Sequence, residues 1–503
     1  MPRSVLSEEQ LLQDMGSNGK TRLNVPYLKP LVASLRGNAI AESLVSRTSL
    51  GRLNVSTLAE YVEAGAAAGA YSLGVDTSLM QGHCISENYR SALQCQESVS
   101  KTLRKRLDRG HTLGPYKVED LRKMGIDDLA CNSIGAVSKK DTDEMRQVDD
   151  MHCNRAIVPP KFAMCSLQIL REDASEGCWW WTVDVEDAFT NVELGSADRP
   201  YMLFRWYHPD DTEFKGDSHE YVYLHVRGNF GPRPLPCIYA MIQLCVNVAA
   251  MCVGVTPPPM GFVDDNTATR NTYDDSFESL QLYKAHLRKS GLPDKPSKEK
   301  GPFQFGIILG RFFNSLNMTI SIPPDKLRKL ETMFIYAIAP KARLSLAALE
   351  SMVGFWEFCL ECLPPVLKSF VYNTHKWMSK VKSLKQPKTR LRYVPRKVKK
   401  DISLVLLVTP HCNGTQPLQP FCGKMWSRPL MTDASKKEGG YCTPTIAYAR
   451  KFTCREQKRI IAINEAQVVA DALSHNGEDW EGTVLPIYID NTTALWAFRN
   501  GRS

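Results

Sequence analysis

Two short β-rich runs in this chain end on carboxylates, and together they constrain the fold more than any other feature. The first, Trp179-Trp-Trp-Thr-Val-Asp184, is aromatic and β-branched and continues as Val-Glu-Asp-Ala-Phe189. The second, Gly261-Phe-Val, carries the pair Asp264-Asp265 at its tip, eighty residues after Asp184. Folding that brings Asp184, Asp264 and Asp265 together creates a site for two divalent metals, about 3.5–4 Å apart, as an in-line phosphoryl displacement needs. Asp-Asp pairs also occur as plain surface turn acids. The pair alone leaves both readings open.

At 503 residues the chain exceeds one typical domain, and two to four are expected. The net charge of +9 is clustered: Lys376 to Lys400 holds eleven Lys and Arg and no Asp or Glu. Such a block repels itself unless solvent or a polyanion covers it, so it reads equally as a solvated linker or a nucleic-acid contact. Fifteen cysteines without framework spacing, and a polar, mixed-charge opening from Met1 to Gln13, suggest reduced thiols in an intracellular protein, cytoplasmic or nuclear. Cys359 and Cys362 form a lone CxxC in an apolar helical pattern, better read as helix packing than as zinc ligands. No apolar run is expected to span a membrane, and no membrane partner is expected.

Along the chain, residues 1–88 read as helical. Ser91 to Leu107 has a basic amphipathic helix pattern, and Asn132 to Val148 that of a hairpin with a polar turn at 139–143. Strands are expected at Trp179–Val185, Tyr201–Trp206 and Glu220–Val226, with a helix from Cys237 to about Val253. A helix over Ser276–Lys289, short strands at Phe303–Gly310 and Met318–Ile322, and helices to about Trp377 follow. Beyond about Met425, the pattern becomes strand (Leu430–Ser435), strand (Gly439–Tyr448), helix (Arg455–Leu473), strand (Leu485–Ile489) and helix (Thr492–Arg499), the opening of a small α/β domain.

In motif order and spacing, residues 114–322 resemble a reverse transcriptase. Thr182-Val-Asp-Val-Glu-Asp-Ala-Phe-Thr-Asn-Val-Glu-Leu194 is similar to that family's first metal-binding motif, and Phe262-Val-Asp-Asp265 to its Tyr-x-Asp-Asp box with Phe in place of Tyr. The resemblance implies that Asp184, Asp264 and Asp265 bind two Mg²⁺ or Mn²⁺ ions. It also implies that Phe189 stacks under the nucleotide sugar and excludes a 2′-hydroxyl. Phe230-Gly-Pro-Arg-Pro-Leu-Pro236 resembles the Gly-containing loop that supports template and incoming nucleotide, with Gly231 at the close backbone approach. It is more proline-rich than the family pattern, and Arg233 replaces a small or polar residue. Ala136 to Arg146 resembles the fingers hairpin, which assigns Lys139 and Arg146 to the triphosphate; Arg forks to phosphate oxygens and Lys acts as a point charge. Of Lys295, Lys298 and Lys300, Lys298 is the choice for the lysine near the leaving pyrophosphate. Phe305 to Gly310 resembles the approach to the primer grip.

Asp433 in a strand, Glu465 in a helix and Asp490 at a strand end look like ribonuclease H, whose acids hold two metals that hydrolyse the RNA of a hybrid. That family's fourth acid would fall beyond Ser503, so an incomplete nuclease domain with weak or absent activity is expected. The implied architecture is α+β: a right-hand polymerase of fingers, palm and thumb, then a C-terminally truncated α/β ribonuclease H-like domain. Its expected divisions are a helical region of unknown role (1–88), fingers and palm (89–322), thumb and connection with a basic linker (323–424) and the ribonuclease H-like domain (425–503). Implied partners are an RNA template, a DNA primer, RNA–DNA hybrid and dNTPs. Tyr89-Arg-Ser-Ala-Leu…Gly114-Pro-Tyr, Leu346 to Phe358 and Asp433-Ala-Ser resemble DIRS-type, tyrosine-recombinase retrotransposons, with long-terminal-repeat elements and plant pararetroviruses as alternatives. An RNA-dependent RNA polymerase shares the acids, although Phe189 and the attached nuclease argue against it; a non-catalytic hybrid binder is the third reading.

Overall fold

The computed structural model describes residues 3–16, 22–49, 53–67, 72–79, 87–117, 131–138, 145–158, 167–419, 424–480 and 483–500. The chain divides into two compact units. One is Met1–Leu170 with Trp179–Phe303, and the other is Arg171–Cys178 with Gln304–Ser503.

The first unit opens with helices Glu8–Gly16, Val25–Ser34, Ala39–Ser49 and Val55–Ala67. Asn24 caps the second by accepting from the Tyr27 N–H, which satisfies an otherwise orphan donor of the first turn. Helix Gln96–Asp108 buries Val99, Ser100 and Leu103, spaced to share one face; Lys101 and Lys105 are exposed, whereas Arg106 follows Leu103 toward the buried side. Nine strands follow: β1 (Thr112–Lys117), β2 (Ser133–Ser138), β3 (Met145–Asp150), β4 (Trp179–Asp184), β5 (Leu203–Trp206), β6 (Tyr221–His225), β7 (Met260–Phe262), β8 (Asp265–Arg270) and β9 (Lys300–Phe303). β2 and β3 form the expected hairpin, with Val137 opposite Arg146; its turn, including Lys139, lies outside the described residues. β1–β6–β5 is a second antiparallel sheet. Its Phe204, Trp206 and Tyr223 pack with Val99 and Leu103 in one core cluster.

The third sheet, β7–β8–β4–β9, carries the acids. β4 is central, and Trp180 and Trp181, whose side chains project to opposite faces, are both fully buried. Truncating either to Ala is expected to cost about 3–5 kcal/mol. One face is covered by helix Tyr273–Lys289, whose Ser279 hydroxyl accepts from the Trp181 indole N–H at 3.3 Å. Helix Leu235–Ala249 and a 3₁₀ turn to Val253 form one apolar segment of 19 residues, long and apolar enough by length and composition to cross a membrane. This corrects the expectation that no run reaches that length. The helix starts before Cys237 because Leu235 and Pro236 belong to its first turn, where proline costs no hydrogen bond. Here it packs within the first unit, and 61% of the segment is buried there.

In the second unit β10 (Phe305–Ile308), β11 (Arg311–Asn314) and β12 (Thr319–Ser321) form an antiparallel meander. Helices Pro324–Ile338, Leu346–Leu360, Tyr372–Ser383 and Arg396–Cys412 follow. The basic block is not a bare tether. It closes one helix, makes a two-residue strand at Arg392–Tyr393 and opens the next helix. Lys382 and Lys388 both pair with Glu350, and the Lys399 ammonium donates to the Ala339 carbonyl. Cys359 and Cys362 are buried, and burial pushes both thiols up to about 12, as inert packing groups.

The C-terminal part forms a four-stranded sheet, β15–β14–β13–β16, from β13 (Leu430–Ala434), β14 (Glu438–Cys442), β15 (Ala447–Lys451) and β16 (Ile487–Ile489). β13 and β16 are parallel. Helix Ile461–Asn476 covers one face, with Val468 and Ala472 against Leu430, Ala434 and Tyr441. The single strand expected at Gly439–Tyr448 is two. Thr443 N–H donates to the Ile446 carbonyl at 2.8 Å, and this Thr-Pro-Thr turn folds the run into a hairpin.

Candidate active sites: two carboxylate clusters

β4 and β8 pair antiparallel with Asp184 directly opposite Asp265. Asp264 precedes β8 in the tight turn from β7, and its carbonyl accepts the Val185 N–H at 2.9 Å. In that turn Val263 has φ of 57°, a left-handed conformation that costs a β-branched residue about 1–3 kcal/mol and needs firm support from its surroundings. Gly261 sits where a Cβ would meet the Asn247, Asn266 and Gln243 side chains at 3.0–3.1 Å.

The first cluster is electrostatically loaded. Asp184 is buried, and burial and the Asp264 charge raise its carboxyl above the usual range, against the opposing pull of Lys298. Burial of its surroundings and the charges of Asp264 and Asp184 push Asp265 up to about 6. The Asp265 side chain itself reaches solvent. Lys298, in the 3₁₀ turn Pro296–Lys298, places its ammonium 2.5 Å from Asp184 Oδ2. Its backbone is held nearby because Lys295 N–H donates to the Asp184 carbonyl at 2.8 Å. Burial disfavours the Lys298 charge, but the hydrogen bond and charge of Asp184 outweigh it, so the ammonium is held above its ordinary pKa. Carboxylates crowded together beside a recruited lysine have the chemistry of a cation site.

Phe189 is half-buried on the turn after β4, edge-on to Phe230 (5.3 Å between centroids) and Tyr239 (6.0 Å). Asp187 in that turn has φ of 49°, and Arg109 pairs with Asp187 and with Glu186. The close approach at Gly231 is made to the protein's own backbone: a Cβ there would meet the Asp149 carbonyl oxygen at 2.4 Å. Arg233 is tied to Asn154, donating from its N–H to Oδ1 at 2.8 Å and from its guanidinium to the carbonyl. Arg146 is exposed on β3 with its guanidinium 4.6 Å from the centre of the Phe230 ring. Phe230 therefore bridges two of the expected site residues. It was legible only as an aromatic before a glycine, because ring contacts leave no mark on local sequence.

The second cluster is tighter. Asp433 on β13, Glu465 on helix Ile461–Asn476 and Asp490 just after β16 each bring a carboxylate oxygen to within 4.8 Å of the others; among the described residues this is the one group of three that does so. Asp433 and Asp490 are exposed, whereas Glu465 is 1% exposed. Its Oε1 accepts the Ala434 N–H at 2.9 Å, and its Oε2 is buried with no hydrogen-bond partner among the described residues. Burial raises the Glu465 carboxyl, and the charges of Asp490 and Asp433 add to it. A buried, unpartnered carboxylate oxygen facing two more carboxylates fits a divalent cation.

Comparison with known proteins gives structural matches only. No protein-family model and no curated protein sequence matches the chain. Solved structures of the foamy viral protease-reverse transcriptase do match. The complex with dsDNA aligns at TM-score 0.52 and 15% identity, covering 92% of this chain and 91% of that one. The complex with RNA/DNA hybrid gives 0.55 and 14%, covering 92% and 59%. The form designated dRH, with ds DNA, gives 0.53 and 14%, covering 91% and 75%. The chain has the fold of these reverse transcriptases. At this identity the likeness is one of fold. Within it, Asp184 and Asp265 face each other by strand register, with Lys298 paired to Asp184 and Asp264 in the adjoining turn, but among the described residues only Asp433, Glu465 and Asp490 bring three carboxylate oxygens within 4.8 Å of one another.

Proposed function

We propose that this chain is an RNA-directed DNA polymerase of a retroelement, with a ribonuclease H-like domain acting on RNA–DNA hybrid. The observation that carries this reading is the register of β4 on β8, which sets Asp184 opposite Asp265 with Asp264 in the adjoining turn. The foamy viral matches, described with dsDNA and with RNA/DNA hybrid, support the nucleic-acid partners: RNA template, DNA primer and their hybrid. On this reading β7–β8–β4–β9 is the palm, the β2–β3 hairpin belongs to the fingers, and the helices from Pro324 form thumb and connection. The looser motif likeness favours a DIRS-type element.

Asp184, Asp264 and Asp265 would hold two Mg²⁺ or Mn²⁺ ions, and Asp433, Glu465 and Asp490 two more. Bound there, the metals supply activation of the attacking oxygen and neutralisation of phosphate charge. The protein's own groups do the rest. Arg146, with Lys139, binds the triphosphate of the incoming dNTP, the guanidinium being able to fork to two phosphate oxygens. Phe189 lies under the sugar and leaves no room for a 2′-hydroxyl. Gly231 keeps the loop seated on Asp149. Lys298 holds a proton on Nζ beside Asp184 and is placed to give charge to the leaving pyrophosphate.

Primer extension on poly(rA)/oligo(dT) with Mg²⁺ or Mn²⁺ tests the reading, with the unaltered protein beside Asp264→Asn. Synthesis by the unaltered protein and its loss in the variant are expected. Equal rates would sink the metal-site assignment. Phe189→Val is expected to admit ribonucleotides, and unchanged discrimination would remove Phe189 from the sugar site.

A further inference from the structure

Behind the Asp264 turn lies a chain of side-chain hydrogen bonds that the proposed chemistry does not use. Tyr239 OH donates to Gln243 Oε1 at 2.9 Å, and Gln243 Nε2 donates to Asn247 Oδ1 at 2.9 Å. Asn247 Nδ2 donates to Asn266 Oδ1 at 3.0 Å, and Asn266 Nδ2 donates to the Asp264 carbonyl at 3.3 Å. Tyr283 OH, from the neighbouring helix, donates to Asn247 Oδ1 at 2.6 Å. Each of these five side chains belongs to a residue that is at most 2% exposed.

Three properties set this ladder apart from incidental core polarity. Gln243 and Asn247 are four residues apart, on one face of an otherwise apolar helix, and burying two amides there is costly unless both are satisfied. Every donor in the run from Tyr239 points toward Asp264, so successive bonds polarise one another in the same direction. The ladder also has functional groups at both ends. Tyr239 packs edge-on against Phe189, and the Asp264 carbonyl also accepts from Val185, the residue after Asp184. It surrounds Gly261 and supports the turn in which Val263 is held left-handed.

We propose that Asn247 and Asn266 are positioning residues of the polymerase metal site, fixing the Asp264 backbone relative to Asp184 and Phe189 so that the acids of the first cluster are held where a divalent metal can draw them together. This rests on the functional reading above. The residues contact neither metal nor nucleotide on this assignment. They act through the Asp264 carbonyl, so their loss is expected to raise the metal requirement more than it lowers the rate at saturating metal.

The test is Mn²⁺ binding, followed by electron paramagnetic resonance on the full chain carrying Asp433→Asn, Glu465→Gln and Asp490→Asn, which leaves the first cluster to report. Asn266→Leu and Asn247→Leu are each expected to weaken binding roughly tenfold, the scale seen when supports of metal ligands are removed. Tyr283→Phe, which deletes one hydroxyl, is expected to weaken it about two- to threefold. Thr267→Val is the control: it removes a buried bond to the Trp181 carbonyl in the same strand without touching the ladder, and binding should stay within about twofold. In primer extension the Mn²⁺ concentration for half-maximal rate should rise by the same factors. Asn266→Leu binding as tightly as the parent, or Asn266→Leu and Thr267→Val losing affinity equally, would overturn the proposal. If Asn266→Leu does not fold, parental affinity in Tyr283→Phe overturns it instead. Absence of Mn²⁺ binding in the parent overturns the functional reading and this inference together, whereas binding in the parent with no change in the ladder variants overturns this inference alone.

Discussion

The two carboxylate clusters solve the same electrostatic problem differently. Asp184 and Asp265 sit on paired strand ends with Asp264 in the adjoining turn, and Lys298 supplies a cation from within the chain at Asp184. Asp433, Glu465 and Asp490 converge from a strand, a helix and a strand end, and Glu465 keeps one buried oxygen without a partner among the described residues. The first cluster is thus partly neutralised by the protein. The second has no lysine or arginine paired with its acids among the described residues, and the unmet charge falls to a bound cation. Strand register makes the first cluster depend on one pairing, and convergence makes the second depend on the packing of a helix on a sheet.

The largest effect that could break this comparison is at the first cluster. Asp264→Asn is expected to lower primer extension on the order of a thousandfold, since it removes a metal ligand and with it charge stabilisation of the transition state. A drop of less than tenfold would show that Asp264 is a turn acid. Next comes stabilisation of the second unit by metal. At about a hundred times the dissociation constant, Mn²⁺ should add about 2.7 kcal/mol, read as a rise of several degrees in its melting temperature. Glu465→Gln should abolish that rise, and an unchanged rise would place the metal elsewhere.

A third test uses pH. Asp265 is raised to about 6 in the folded, metal-free protein, so its ionised form is disfavoured there. Its contribution to stability is fully present below its unfolded pKa of about 4 and is lost as pH rises through about 6. Metal must displace that proton, so Mn²⁺ affinity at the first cluster should fall as pH drops below about 6, by up to tenfold per unit, and the fall should flatten in Asp265→Asn. A pH-independent affinity would contradict the assigned environment. The smallest effect is at Lys298. Lys298→Gln removes the internal competitor at Asp184 and should tighten Mn²⁺ binding about two- to fivefold while slowing nucleotide addition, a modest gain because the ammonium is half-exposed. Weaker binding in that variant would show Lys298 supporting the acids and not competing for them.

What was legible in the sequence was local. Trp179 to Asp184 reads as a strand because aromatic and β-branched residues favour that conformation, and the hairpin of Ser133 to Asp150 because its turn is polar. Element bounds were misjudged where local signals conflict. The Thr-Pro-Thr turn inside Gly439–Tyr448 was hidden between two runs of similar composition, and the prolines at 234 and 236 masked the true start of the Leu235 helix. The basic block from Lys376 was legible as charge, but its folding into two helices depends on Glu350 and the Ala339 carbonyl, both distant in sequence.

At the sites, the sequence by itself determined which acids are present, their order and the strand or helix that bears each. Tertiary structure decided what those acids experience. Whether Asp184 meets Asp265 is a matter of register, since a slip of one residue in β8 would turn every side chain to the other face. That Lys298, of three nearby lysines, reaches Asp184, that Phe230 joins Arg146 to Phe189, and that Asn266 braces the Asp264 carbonyl all follow from packing between segments far apart in the chain. The physical reason is range. Backbone preference acts over a few residues and writes itself into composition, whereas charge, desolvation and hydrogen-bond partners are set by whatever folding brings within a few ångströms.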